Sequence, residues 1–325
     1  MSASTESYLS HARYGKDKVR VFRVVREGKW HHVVEYNVTA LLEGEIDVSY
    51  TKADNSVVVA TDSIKNITYY LAKISPHILH PERFAIHLGT HLVSKYAHIH
   101  KAFVTIEKLR WARIPVAEGV EAAKPHPHAF YRDGDDKRIA KVEIDGTGGK
   151  DKLVAKVTSG ITDLLVLKST GSAFENFVRD EYTTLVEVND RIFSTSIDLS
   201  YVFAPFAVPA PQDEKKLGLG LGDAAQGTGW DGEAVAEAAR KITLETFATD
   251  ESASVQATLY KMAQLIIAEN ASVQSVTYAL PNKHYVPVDM KYIGVDNMTP
   301  AAAEVFVPIA APSGLISATI SRKQR

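Results

Sequence analysis

The chain has 325 residues, 45% of them hydrophobic and 23% charged, the values of a folded globular protein with room for about two ordinary domains. Its 37 Lys and Arg against 39 Asp and Glu leave a formal charge of −2, which supplies no field for gripping a phosphate backbone or an anionic membrane surface. Cysteine is absent, and that excludes disulfide frameworks, thiolate nucleophiles, iron–sulfur clusters and cysteine zinc sites.

The N-terminal MSASTESYLSHARYGK lacks an apolar stretch of signal-peptide length, and no apolar run approaches the ~18 residues of a membrane span. A cytoplasmic protein is expected, with neither nucleic-acid nor membrane partners. The final ISRKQR is not the Ser-Lys-Leu peroxisomal address expected of a eukaryotic peroxisomal enzyme.

Alternation opens the chain. Val19, Val21 and Arg23 share one face and Arg20, Phe22 and Val24 the other; Gly28 and Lys29 interrupt, and a second run continues from His31 to Val48, which is hairpin grammar. Ala60-Thr61-Asp62-Ser63 then predicts the capped start of a helix to about Lys73. After Pro81, a stripe of Phe84, Leu88, Leu92 and Tyr96 predicts a second helix. Phe103–Trp111 and Ala129–Asp145 read as long strands, completing a ββααββ order.

Gly146-Thr147-Gly148-Gly149 is a break, after which the order recurs. Strands are predicted near 152–168 and 190–204, helices near 231–248 and 253–270, and strands near 273–290 and 303–321. The second of these helices carries Val255, Leu259, Met262 and Ile266 on one face. Residues 204–230 are rich in Pro and Gly and predict an exposed loop, whose LGLGLG lacks the strand-before, helix-after context of a phosphate cradle. A sheet with one face left over after its helices are placed is expected to close against other subunits.

Twelve histidines raise a metal hypothesis. His98 with His100, and His126 with His128, have strand spacing that puts each pair on one face, and His87 and His91 lie four apart on the predicted helix. Position 88 is Leu, so the zinc-protease Glu is missing. Histidines satisfied by their neighbours are the simpler reading. No G-x-S-x-G elbow supports a serine nucleophile.

Several polar segments sit at the edges of the predicted elements: YGKDKVRV at 14–21, VATDSIKN at 59–66, VLKSTGSAF at 166–174, RDEYTTL at 179–185, DRI at 190–192, SASVQATLYKM at 252–262 and LPNKHY at 280–285. Singly, each has a bland explanation such as a helix cap or a turn. Together and in this order they resemble the urate oxidase (uricase) family, over about residues 13–321 and most weakly at the Pro/Gly-rich loop.

The resemblance implies an α+β fold of two tandem tunnelling-fold (ββααββ) units, 1–148 and 149–325, with antiparallel sheets and helices on one face. It implies a homotetramer around a tunnel, with active sites shared between subunits. It also implies a cofactor-free and metal-free oxidation of urate by dioxygen and water to 5-hydroxyisourate and hydrogen peroxide.

Carried over by residue, Arg191 and Gln256 grip urate, and Phe174 stacks on its ring. The backbone amide of Val255 adds a donor at a helix start, while Ser254 caps that helix. Thr61 and Asp62 of a neighbouring subunit complete the pocket, the Asp62 carboxylate capping its own helix. Lys16, Thr61 and His284 correspond to a proton relay; a desolvated lysine and a histidine have the titration behaviour that a base or shuttle needs. Asn282, with Thr61, corresponds to the site for dioxygen and then water. Two other classes of function are an enzyme of the same fold acting on a pterin or another purine-like ring, and a non-catalytic binder. The first would need a zinc or acidic anchor in place of Arg191 and Gln256, and the second would have no use for Lys16 with His284.

Overall fold

The computed structural model describes residues 7–117, 122–209 and 231–323. Two compact units emerge: Met1–Gly160 with Val202–Ala234, and Ile161–Tyr201 with Val235–Arg325. Both combine antiparallel strands with helices, an α+β architecture.

Unit 1 begins with the hairpin of β1 (Tyr14–Glu27) and β2 (Trp30–Gly44), paired antiparallel from Tyr14 opposite Leu42 to Glu27 opposite Trp30. The turn rests on Gly28, whose φ of 61° suits a residue without a Cβ. After β2 come α1 (Asp47–Thr51), α2 (Thr61–Ile74), α3 (Pro81–Lys95) and β3 (Ile99–Leu109). The second strand therefore ends at Gly44 rather than at Val48, and 47–51 is a helical turn stabilised by Ser49 and Thr51 hydroxyls donating to the carbonyls of Ile46 and Asp47.

The long strand expected at 129–145 is two strands. β4 (Trp111–Val116) and β5 (Lys124–Arg132) form a separate antiparallel ribbon, and β6 (Lys137–Asp145) returns to the main sheet beside β3. Arg110 is the physical reason: its guanidinium donates to Asp136 at 2.9 Å and to Asp133, clamping the point where the ribbon leaves and rejoins the sheet. The sheet of unit 1 runs β1-β2-β3-β6, with the first half of β7 (Leu153–Lys168) next, and β9 (Phe206–Val208) pairs with Leu153–Ala155.

The core follows from the period-two pattern. Val34, Tyr36, Val38, Ala40 and Leu42 of β2, with Ala102, Val104 and Ile106 of β3, are buried beneath Phe84, Leu88 and Leu92 of α3. A Cβ at Gly89 would meet Ile144 at 2.7 Å, so glycine lets α3 approach β6. The opposite face is not apolar. There Lys101 pairs with Asp145 at 3.1 Å and Glu143 at 3.5 Å, and Asn37 donates to Glu107.

A buried polar cluster accompanies this core. Glu82 accepts from Arg138 at 2.7 Å and from Ser159 at 2.8 Å, and Arg138 also contacts Glu233 at 2.6 Å. Burial opposes ionisation of Glu233, but the His80 hydrogen bond and the Arg138 charge hold its carboxyl down at about 2.

Unit 2 contains the second half of β7, most of β8 (Phe193–Phe203), most of α4 (Gly232–Thr249), α5 (Val255–Glu269), β10 (Val273–Pro287), β11 (Phe306–Ile309) and β12 (Leu315–Ser321). Here β7, β8 and β10 lie side by side. β10 changes partner along its length: Ser275–Pro281 pair with β12, and His284–Pro287 pair with β11. The single strand expected at 303–321 is thus two strands, each serving one part of β10. Val255, Leu259, Met262 and Ile266 are buried on one face of α5, as their spacing predicts. Of the predicted loop 204–230, residues 206–208 form β9, and 210–230, with the LGLGLG, lie outside the described residues. Among the described residues no helix is long and apolar enough to cross a membrane.

Candidate active site

The site residues fall into two groups, one on each unit. Lys16, Thr61 and Asp62 belong to unit 1; Phe174, Arg191, Val255, Gln256, Asn282 and His284 belong to unit 2.

On unit 1, Lys16 lies opposite Ala40, immediately before a bulge that shifts register between Lys16 and Val19. Lys18 takes a φ of 50° in that bulge, with its N–H donating to the Thr39 hydroxyl at 3.3 Å. Thr39 in turn donates to Asp17 at 2.5 Å. Gly15 leaves no room for a side chain: a Cβ there would lie 2.0 Å from the carbonyl oxygen of Ala40. Thr61 is the first residue of α2 and is half-buried.

Asp62 follows Thr61, and its carboxylate does not cap the helix. It accepts from Lys65 at 2.5 Å and from Asn66 at 3.0 Å, because a residue already inside the first turn points along the helix rather than back at its own N–H groups. The Lys65 hydrogen bond, chiefly, and also the charge of Lys16 hold the Asp62 carboxyl below its ordinary range. Lys16 and the start of α2 therefore share one electrostatic environment.

On unit 2, two short backbone bridges gather the second group. Ser172 pairs with Ser252, and Phe174 pairs with Val188 through reciprocal bonds of 2.8 and 3.1 Å. The first bridge brings the turn that holds Phe174 to the segment leading into α5; the second brings Phe174 to the segment leading to Arg191. Asp190 locks the turn, accepting from Thr170, from the Gly171 N–H at 2.7 Å and from the Ser172 N–H at 3.4 Å. The Arg191 guanidinium carbon then lies 5.1 Å from the centroid of the Phe174 ring.

Arg191 is half-buried, and burial lowers its pKa. Its Nε is buried with no hydrogen-bond partner among the described residues. An unpaired guanidinium N–H beside an aromatic face suits a flat anion: the ring stacks and the fork donates.

The start of α5 is fixed from both sides. Ser254 caps it, its hydroxyl accepting from the Ala257 N–H at 3.1 Å. Val255 and Gln256 are thus the first helical residues, whose N–H groups have no acceptor within the helix and favour an anion. Val255 is buried and Gln256 exposed. Lys168 holds the preceding loop, donating to the Asp250 carbonyl at 2.6 Å and to the Ser252 hydroxyl at 2.9 Å. Burial lowers the pKa of Lys168, partly offset by Asp250, Asp190 and Glu251.

Asn282 sits where β10 changes partner, its N–H donating to the Gly314 carbonyl at 2.7 Å. His284 lies two residues on, on the same face, opposite Ile309.

Lys168, Asp190 and Asp250 organise this group without being foreseen. Lys168 and Asp190 lie inside the VLKSTGSAF and DRI segments, but a lysine or an aspartate in a loop carries no local signal of what it will hold.

A family model for uricase matches residues 12–143 and 157–317, which include all nine of these positions. The chain belongs to the uricase family. It is 46% identical to the uricase of Emericella nidulans, over 98% of this chain and 99% of that one. It is also 46% identical to the uricase of Aspergillus flavus, over 97% of both. The crystal structure of uricase from Arthrobacter globiformis superimposes with a TM-score of 0.80 at 32% identity, covering 99% of this chain and 97% of that one.

Within this uricase-family chain the paired histidines make contacts of their own. His98 bonds the Val57 carbonyl at 2.8 Å and His100 meets Glu45 at 3.1 Å. The His126 and His128 rings meet edge to face at 4.5 Å on the β4–β5 ribbon, and His87 bonds the Ser75 hydroxyl at 2.8 Å. Among the described residues no three His, Asp or Glu side chains are grouped to hold a metal ion.

Proposed function

We propose that the chain is a urate oxidase that works as a homotetramer of subunits built from two tunnelling-fold units divided near 148, with each active site shared between neighbours. Family membership over nearly the whole length supports the activity and does not favour a pterin enzyme or a non-catalytic binder. The observation that carries the substrate reading is the Arg191 guanidinium, its buried Nε without a partner among the described residues and its carbon 5.1 Å from the Phe174 ring centroid.

In this reading urate stacks on Phe174 and presents its anionic edge to Arg191 and the Val255 amide. Gln256 donates and accepts at the opposite edge. Such a clamp fixes the purine plane and leaves its other face open to a small molecule held by Asn282 and Thr61. Lys16, Thr61 and Asp62 come from the neighbouring subunit.

The chemistry follows from the spin state of dioxygen, which reacts slowly with closed-shell molecules unless they release an electron. The Lys16, Thr61 and His284 relay takes a proton from urate, and the more electron-rich anion passes one electron to dioxygen. The radical pair collapses to a peroxide adduct at a ring carbon. Hydrogen peroxide leaves and water adds, so urate, dioxygen and water become 5-hydroxyisourate and hydrogen peroxide, with atoms and electrons balanced.

The test is to incubate the pure protein with urate in chelated buffer, following urate absorbance, dioxygen uptake and peroxide together. Equimolar change in all three is expected. No urate consumption sinks the activity, and activity that returns only with an added metal sinks the cofactor-free chemistry.

A further inference from the structure

We propose that Tyr14 is a positioning residue for this reaction, setting the register that brings Thr61 beside Lys16; the inference rests on the relay described above. The Tyr14 hydroxyl accepts a hydrogen bond from the backbone N–H of Val59 at 2.7 Å, across 45 residues of sequence. Tyr14 and Lys16 are two residues apart on β1, before its bulge, and share one face. Val59 and Thr61 are also two apart. The latch at 14 and 59 therefore sits one step behind the pair at 16 and 61, and a slip in one displaces the other.

The start of α2 has no side-chain cap to fix it. Ala60 is its N-cap residue and supplies no side-chain acceptor, whereas the start of α5 has the Ser254 hydroxyl. Without a cap, the position of a helix N-terminus depends on what holds the segment before it. Among the described residues two side chains from elsewhere hold that segment: His98 bonds the carbonyl of Val57 at 2.8 Å, and Tyr14 takes the N–H of Val59. Only the second bond comes from β1. Gly15 reinforces it by seating β1 directly on the backbone of β2, where any Cβ would collide with Ala40 and Leu41.

Val59 is buried, 7% exposed, so removing the Tyr14 hydroxyl strands a donor that water cannot readily reach. The segment then shifts to find an acceptor, and Thr61 moves with it. Displacement of a reacting group by ~1 Å costs on the order of 100-fold in rate. Arg191, Phe174, Val255 and Gln256, which are assigned to urate on the other unit, lie outside the segment that the change moves.

The test is a double-mutant cycle of Tyr14→Phe with Thr61→Ala, read by dioxygen uptake and by urate binding under anaerobic conditions, where no turnover occurs. Tyr14→Phe is expected to lower kcat by about 10- to 100-fold, with KM and anaerobic urate affinity within about twofold of wild type. On the Thr61→Ala background the same change is expected to have almost no further effect, because the residue it positions is gone. Wild-type kcat in Tyr14→Phe overturns the proposal. So does an unchanged fold-loss on the Thr61→Ala background. A Tyr14→Phe protein that loses urate binding in proportion to turnover makes Tyr14 a folding residue, which also overturns it. Wild-type enzyme that leaves urate intact defeats the relay reading itself, an outcome separate from all of these.

Discussion

The strand and helix start that carry Lys16 and Thr61, and the loops and helix start that carry Phe174, Arg191 and Gln256, are held in different ways. The second region is tied redundantly: two backbone bridges, the Asp190 lock, the Lys168 clamp and the Ser254 cap all bear on it. The first depends on a bulge with a left-handed Lys18, a glycine that admits no side chain, and one tyrosine latch. The difference matches the role proposed for each: binding a flat anion needs several groups fixed together, whereas moving a proton needs one short distance set correctly.

Removing the groups proposed to handle the proton should separate the regions most sharply. Lys16→Met and Thr61→Ala are each expected to lower turnover by about 10²- to 10⁴-fold while the assembled state, read by light scattering, is retained. Near-normal turnover in both variants removes the relay assignment. Arg191→Gln should instead raise the urate dissociation constant by about 10- to 100-fold, the worth of a charge-assisted hydrogen bond. If it changes kcat alone, the division of labour between the units is wrong.

Lys168→Met tests the redundancy. It removes donors to the Asp250 carbonyl and the Ser252 hydroxyl, and a loss of about 1–3 kcal/mol of stability, read from urea unfolding, is expected, together with weaker urate binding. Loss of stability with unchanged affinity shows that the remaining ties suffice.

Acid should loosen unit 1 first. Burial, followed by the charges of His87 and Arg83, lowers the His77 pKa from 6.5 to about 4, so the folded state favours the neutral ring. That stability is present above 6.5 and is lost as pH falls toward 4. Asp145 has burial against it but accepts from Thr147 and Lys101, which bring it to about 2. It and Glu233, also at about 2, hold stability above their ordinary carboxyl range that drains away as pH falls toward 2. Hydrogen exchange between pH 7 and 4 should therefore show protection lost around α3 before α5; the reverse order contradicts it. Smallest of all, Ser254→Ala should cost about 0.5–2 kcal/mol for the lost cap, visible as a lower melting temperature with a modest rise in KM.

Local signals account for much of what the sequence predicts well. The stripe of α5, its Ser254 cap, the start of α2 at Thr61 and the alternation of β6 all depend on residues within a few positions of one another. Where prediction and structure part, a distant partner is responsible. Arg110 reaches to Asp133 and Asp136 to split a long strand into ribbon and sheet. Lys101 and its carboxylates place ion pairs on the second sheet face of unit 1, across strands far apart in sequence.

The candidate site divides along the same line. Arg191, Phe174, Gln256, Lys16 and His284 are legible only as residue types within segments that resemble the family's. Their supports are not legible. Tyr14 meets Val59 across 45 residues, Lys168 meets Ser252 across 84, and Asp190 returns 19 residues to Gly171. Composition excludes chemistries such as that of thiols, and the ordered segments carry the family resemblance, because side-chain type is a local property. Folding decides which of those groups stand at a working distance, because a hydrogen bond acts over a few ångströms in space and carries no trace of the sequence it spans.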